Sequence, residues 1–306
     1  MKQIPARRLK QRQPRLLIVG GGDVARRTLP FLGNRYQITV LLRDTEQARF
    51  WREHGARPLL ADLDQPASLH RIAGQADIVL HFAPPPDRGP NDTRTRHLIA
   101  ALKRAKSLAQ RLIYVSTSGV YGDCGGARVD ETNRLRPSTA RARRRVDAEQ
   151  QLRRFGRESG VRVSILRAPG IYAADRLPIE RLQRGTEALL PEDDVYTNHI
   201  HADDLAMLVC AALRHGRSNR CYNASDDSQM KMGEYFDLVA DSFALPRAPR
   251  ISRAEAEKKL SPVQLSFMSE SRRLDNRRIR RELRAQLRYP QVADGIAAAA
   301  RNDGMN

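Results

Sequence analysis

The sequence predicts an α/β protein: a doubly wound parallel sheet with a smaller C-terminal cap. Three observations carry this reading. Short apolar runs alternate with amphipathic stretches through the first half of the chain. The first run, Leu16–Val19, breaks directly into Gly20-Gly21-Gly22 and then into a helix-compatible segment. After Leu166 the rhythm changes, and Pro169, Pro178 and Pro191 punctuate a loop-rich region. Strands separated by helices of this length form βαβ units on a parallel sheet. The right-handed crossover then places helices on both faces.

Taken in order, the apolar runs predict strands at Leu16–Gly20, Gln37–Leu42, Arg57–Ala61, Ile78–Phe82, Arg111–Ser116 and Arg162–Leu166. The amphipathic stretches between them predict helices at Val24–Leu32, Glu46–His54, Pro66–Ala73, Thr93–Lys106 and Ala140–Ser159. Beyond the prolines, Val195–His201 reads as a strand leading into a helix that begins near Asp203, and Arg220–Asn223 as a further sheet strand. Met232–Phe243, Arg277–Leu287 and a last segment from Val292 read as helices. No internal repeat or low-complexity linker is visible. The expected division is a flexible basic extension over 1–13, a dinucleotide-binding domain over 14–168 completed by about 195–224, and a substrate-binding cap from 169–194 and 225–306.

Composition narrows the class. With 306 residues, 41% of them hydrophobic, the chain can bury a substantial core. No apolar run approaches the roughly 18–20 residues of a membrane span. The N-terminal MKQIPARRLKQRQP lacks the apolar core of a secretory signal. Cys124, Cys210 and Cys221 are widely spaced and form no metal or disulfide pattern, so a reducing cytoplasm and no metal are expected. Cys124, beside Gly122 and Gly125, is a bystander loop residue rather than a reactive thiol on this reading. The net charge of +19 favours anionic partners. The charge is spread along the chain, with runs at Arg141–Arg145 and Arg272–Arg284, and aromatics are only 5%, so a solvated arginine surface is preferred over a nucleic-acid site.

The glycine turn carries the sharpest chemistry. Gly20-x-Gly22-x-x-Ala25 fits the Rossmann dinucleotide fingerprint, with Ala at the third small position. Glycines let backbone N–H groups approach a pyrophosphate, and the helix opening at Asp23 and Val24 after Gly21 and Gly22 adds partial positive charge. In such sheets ligands sit at the carboxyl ends of the strands, so each end is a candidate site. The second strand ends at Arg43, where an NAD-selective protein usually has an acid. Arginine suits a 2′-phosphate, which favours NADP over NAD. After the third strand, Asp62 can accept from an adenine amino group, while Asp64 before Pro66 fits a helix N-cap. The fourth strand ends HFAPPP, where Phe82, Ala83 and Pro84 let a cofactor pass close and His81 reads as packing. The fifth ends with Ser116, Thr117 and Ser118, three hydroxyls that suit a reacting site better than a strand interior.

These pieces together resemble the extended or atypical short-chain dehydrogenase/reductases of the NAD(P)-dependent epimerase/dehydratase group. The resemblance rests on VGGGDVA, Ala61–Leu63, His81–Ala83, VSTSGVYG, RAPGIY, HIHADDLA and RLDNRRIRREL, in that order between about Leu16 and Ala300. It implies that Gly20, Gly22 and Ala25 line the pyrophosphate, that Asp62 and Leu63 border the adenine, and that Ala83 and Ser116 approach the nicotinamide. Pro169, Gly170 and Ile171 would contact the cofactor nearby. Thr117 takes the active-site Ser/Thr position. Asp203 follows the return from cap to sheet and would cap the next helix. Homodimers through the helices at Thr93–Lys106 and Ala140–Ser159 are also implied.

One departure stands out. The resemblance implies a Tyr four residues before a Lys on the helix after the fifth strand, the pair that moves the substrate proton. With Glu149 as the trailing acid, the Tyr position falls on Arg141 and the Lys position on Arg145. Arg145 can still donate to ribose hydroxyls, but a guanidinium does not deprotonate and so cannot act as the acid/base. Tyr121 is the substitute phenol at hand in the same loop. Three functions follow: an NADP(H)-dependent reductase or epimerase/dehydratase-like enzyme on a small, anionic or nucleotide-linked substrate; a non-catalytic dinucleotide sensor; and, last, an RNA or polyanion binder.

Overall fold

A computed structural model describes residues 12–303; all but the last two residues of the extension expected over 1–13 lie outside the described residues. Seven parallel strands form one sheet in the order Arg220–Asn223, Arg162–Ala168, Arg111–Thr117, Ile78–His81, Arg15–Val19, Gln37–Leu42, Arg57–Leu60. The first strand lies between the second and the fourth, with Val19 beside Leu41 on one side and His81 on the other. The strand order therefore reverses at the end of the first strand, which opens a crevice there.

The first strand shows why this apolar run becomes a central strand. Leu16, Leu17, Ile18 and Val19 are fully buried, and they alternate between two cores. Leu16 and Ile18 join Val40, Trp51 and the helix Ala202–His215; Leu17 and Val19 join Val79, Leu112 and the helices Thr93–Lys103 and Ala140–Ser159. A strand with both faces covered needs no polar alternation, and burying each such side chain contributes about 1.5–3 kcal/mol.

Two helical segments differ from the pattern. The first is interrupted at Thr28, giving Asp23–Arg27 and Leu29–Leu32, because Pro30 has no N–H to continue the ladder. The segment after the third strand, Pro66–Ile72, is a 3-10 helix rather than an α-helix. The cap has its own apolar core of Tyr172, Leu182, Tyr235, Phe236, Val239, Val292 and Ile296. Parallel pairing of His199–His201 with Gly170–Tyr172 ties it to the sheet. Helix Arg277–Leu283, in the stretch assigned by sequence to the cap, places Ile279 and Leu283 in the same core as Leu16. No helix among the described residues is long and apolar enough to cross a membrane.

Candidate active site

The carboxyl ends of the strands enclose a cleft of about 510 Å³. The three glycines of the turn play different parts. Gly20 has φ +92°, and a Cβ there would meet the Ala83 backbone nitrogen at 2.8 Å, so only glycine fits. A Cβ on Gly21 would meet Leu42 at 2.5 Å and Trp51 Nε1 at 2.7 Å. Gly22 is the open one, with no atom within 4 Å of that position, so the backbone ahead of Asp23–Arg27 faces free space in the cleft. The cleft gathers Gly20–Ala25 from the turn, Arg43 from the second strand end, Asp62 and Leu63 from the third, and Phe82, Ala83 and Pro84 from the fourth. Ser116, Thr117, Arg145, Pro169 and Ile171 line it as well. Gly170 is not part of it and lines the neighbouring cavity instead.

Two arginines that the sequence did not single out, Arg94 and Arg176, line this cleft, and a third, Arg27, braces Asp23 in its wall. Arg94 donates to both Asp64 carboxylate oxygens, at 2.9 and 2.6 Å, and to the Pro84 and Pro85 carbonyls. It thereby ties the proline loop after the fourth strand to the loop after the third. Asp64 is thus an ion-pair partner and not a helix cap; the Arg94 guanidinium holds its carboxyl below the usual range. Arg176, from the cap, also lines the cleft and pairs with Asp23 at 3.0 Å. Arg27 joins Asp23 at 2.8 Å to Asp203 at 2.7 Å. Asp203 is therefore held by Arg27, and the following helix is capped by His201, whose Nδ1 accepts from the Asp203 backbone N–H.

A buried polar chain backs the fifth strand. Ser116 donates to Glu149 at 2.7 Å, and Glu149 takes two bonds from Arg167, at 3.1 and 2.7 Å. Arg167 donates to the Tyr121 hydroxyl, which donates to Asn223 at 2.7 Å. Tyr121 is fully buried, lines neither this cleft nor its neighbour, and burial pushes its phenol far up. The substitute-phenol assignment is thus corrected: Tyr121 is a strut, because the turn after Ser118 points its ring inward toward Asn223. His81 is likewise buried, bonded to Thr95 at 3.0 Å, and desolvation lowers its pKa to about 3.

Thr117 faces the other way. Its Oγ1 accepts from the Gly119 N–H at 3.2 Å, which leaves its own proton free to donate into the cavity. Arg145 is held by donation to the Tyr114 hydroxyl and the Val115 carbonyl, both at 2.9 Å. Thr117, Arg145 and Pro169 also line a second cavity of about 330 Å³, so the two spaces adjoin. Arg141, exposed on the first turn of helix Ala140–Ser159, and Gly170 line this second cavity. So do Tyr196 and Arg272, which sequence reasoning passed over. Tyr196 lay inside a segment read only as a strand, and Arg272 inside a charge run; nothing local marks either as facing a cavity. Among the described residues no cluster of His, Cys, Asp or Glu is placed to hold a metal, and all three cysteines are free thiols.

The chain matches the family described as NAD dependent epimerase/dehydratase over residues 16–225. The dTDP-D-glucose 4,6-dehydratase of Homo sapiens is 25% identical over 175 residues, 51% of this chain and 49% of that one. The chain thus spans about half the length of the curated relatives it matches. A conserved protein of unknown function from Silicibacter pomeroyi superposes with a TM-score of 0.80 at 28% identity, covering 95% of this chain and 99% of the other. The dTDP-glucose 4,6-dehydratase of Streptomyces venezuelae, solved with NAD bound, gives 0.74 at 20% identity, with 95% and 97% covered. The UDP-glucose 4-epimerase of Thermotoga maritima, solved with UDP-glucose, gives 0.76 at 17%, with 95% and 100% covered. On the strength of the family match, which takes in the glycine turn and all seven sheet strands but the first residue of the first, this chain is a member of the NAD-dependent epimerase/dehydratase family.

Proposed function

We propose that this chain is a nicotinamide-dinucleotide-dependent enzyme, a reductase or an epimerase/dehydratase, acting on a small anionic substrate. The observation that carries the reading is that the glycine-turn cleft adjoins a second, arginine-lined cavity across Thr117, Arg145 and Pro169. A dinucleotide fits the residues present. The space above Gly22 admits a diphosphate against backbone N–H groups. Arg43, exposed at the cleft edge and bonded to no other described residue, suits a 2′-phosphate, so NADP is the preferred cofactor. Asp62 and Leu63 would border the adenine, and Arg145 would meet ribose hydroxyls. The nicotinamide, when bound, supplies or accepts a hydride.

The chain's own residues then bind and protonate. Arg141 and Arg145 stand in place of the family's phenol–amine pair; with Arg145 on the ribose, Arg141 holds an anionic group of the substrate, because a guanidinium donates in pairs but does not titrate. Thr117 donates to a substrate oxygen. Tyr196 is the phenol that lines the second cavity, with the Arg273 guanidinium 4.9 Å from its ring centre, and we assign it the proton transfer left open by Arg141.

Calorimetric titration with NADPH and NADH tests the reading. NADPH is expected to bind at least about tenfold more tightly, the worth of one charge-assisted contact, and Arg43→Glu is expected to abolish the difference. Absence of binding by either nucleotide overturns the reading. The loss of the phenol–amine pair favours one second reading, a dinucleotide sensor without turnover. It is supported if NADPH raises the melting temperature while aldehydes, ketones and nucleotide sugars all leave NADPH unoxidised.

A further inference from the structure

The second cavity adjoins a third, of about 260 Å³, and the two differ in chemistry. They share Gly170, Thr197 and Met232 as walls and so lie side by side. The second sets three guanidinium groups, Arg141, Arg145 and Arg272, against one carboxylate, Glu270. The third is walled by Ile171, Tyr172, Met232, Tyr235, Phe236 and Met268. Planar apolar walls of this kind suit a ring, which gains from both burial and offset stacking.

Polar side chains line both chambers. Arg272 donates through Nη1 to Gly122 O at 2.7 Å and to Glu270 at 2.8 Å, but its Nε is buried and unpaired. In the apolar chamber, His199 lies stacked on Tyr235 at 4.3 Å with Nδ1 buried and unpaired. Burial lowers the His199 pKa to about 4, so the ring is neutral near pH 7 and offers one donor and one acceptor rather than a charge. Arg181 lies 4.8 Å from the Phe236 ring centre, holds the Glu187 carbonyl through Nη2, and has its Nε buried and unpaired as well. Each unpaired buried group costs about 1–3 kcal/mol.

We infer that the two chambers together form the site of an aromatic acid: a carboxylate or phosphate held by Arg141 and Arg272, a ring between Tyr235, Phe236 and Met268, and a ring hydroxyl or carbonyl against His199 and Arg181. The inference rests on the proposed enzyme reading and names its substrate class. It separates this chain from the relatives named above, one of which was solved with UDP-glucose.

Titration of the full chain with 3-(4-hydroxyphenyl)propanoate, 3-phenylpropanoate, propanoate, 4-ethylphenol and UDP-glucose, each with and without NADPH, tests it. The hydroxyphenyl acid is expected to bind at least about tenfold more tightly than propanoate or 4-ethylphenol. Arg272→Gln is expected to weaken both aromatic acids about tenfold and leave 4-ethylphenol unchanged. His199→Phe is expected to erase the advantage of the hydroxyl. If Arg272→Gln fails to fold, Arg141→Gln, on an exposed helical turn, gives the same readout. Propanoate binding as tightly as the aromatic acids, or UDP-glucose binding more tightly, overturns the inference. If NADPH binds and no acid does, the aromatic-acid site falls and the enzyme reading stands. If NADPH does not bind, the titrations without it still decide the aromatic-acid site.

Discussion

Asp226 shows how a single side chain in this fold acts on the whole. Its Oδ1 accepts from the Ser228 backbone at 3.0 Å, while its Oδ2 is buried with no partner. Burial, reinforced by Asp227 and Asp204, pushes its carboxyl up to about 8. The folded form therefore binds a proton that the unfolded chain has released above about pH 4. The stabilisation linked to Asp226 is complete below about pH 4 and is lost as pH rises to about 8. His199, lowered to about 4, and His81, lowered to about 3, act the other way, because the unfolded chain takes up protons below about pH 6.5 that these buried rings refuse. Between pH 6.5 and 8 only Asp226 of these three titrates. Asp226→Asn is thus expected to raise the melting temperature at pH 8 by about 2–4 °C and to flatten its pH dependence across that window. Scanning calorimetry of the two proteins at pH 6.5 and 8 is the check; a lower melting temperature for the variant at pH 8 contradicts it. The sequence assigned Tyr121 and Asp203 by position alone, and their roles turned on partners 102 and 176 residues away, Asn223 and Arg27. Motif spacing constrains neighbours along the chain and carries no information about such pairs.

At the scale of the element, helix Ala140–Ser159 is legible from end to end. Thr139 accepts from the Ala142 N–H at 3.1 Å at its start, and Gly160 sits at φ +72° at its end. Both ends are local, so the bounds read from sequence are those observed. Thr139→Ala is expected to cost about 1 kcal/mol in urea unfolding, and Gly160→Ala a similar amount because only glycine adopts that backbone without strain. The two differ in function. Thr139 lines the second cavity and orders the turn that carries Arg141, so Thr139→Ala is expected to weaken binding of 3-phenylpropanoate, while Gly160→Ala leaves it unchanged. Equal effects on binding would show that the turn does not position Arg141. The 3-10 geometry of Pro66–Ile72 was not legible, since α- and 3-10 helices share the same apolar spacing over so short a stretch.

For the whole molecule, the parts are joined at the cleft. Asp23 from the glycine turn, Arg176 from the cap and Asp203 from the return segment meet through Arg27 and Arg176. A dinucleotide bound there would span the same junction and stabilise the folded chain as a unit. NADPH at 100 times its Kd is expected to add about 2.7 kcal/mol, read as one thermal transition moving upward without splitting. A shift confined to a partial transition would show that cap and sheet melt independently. Many of the arginines are spent on such pairs, which are neutral and leave the net charge of +19 on the remaining cations. Arg15 with Asp77, Arg94 with Asp64, Arg220 with Glu282 and Arg250 with Asp237 all serve structure.

What the sequence settled unaided is what short-range physics writes into it. Apolar runs, glycines that must turn and small residues at strand ends determined the parallel sheet, its crevice and the wall of the cleft, because each depends on residues within a few positions of one another. Which guanidinium groups face a cavity, that Tyr196 rather than Tyr121 reaches it, and that an aromatic chamber adjoins an arginine-lined one were decided only by the tertiary fold. Those facts depend on where distant segments of the cap come to rest against the sheet, and packing, not periodicity, fixes that.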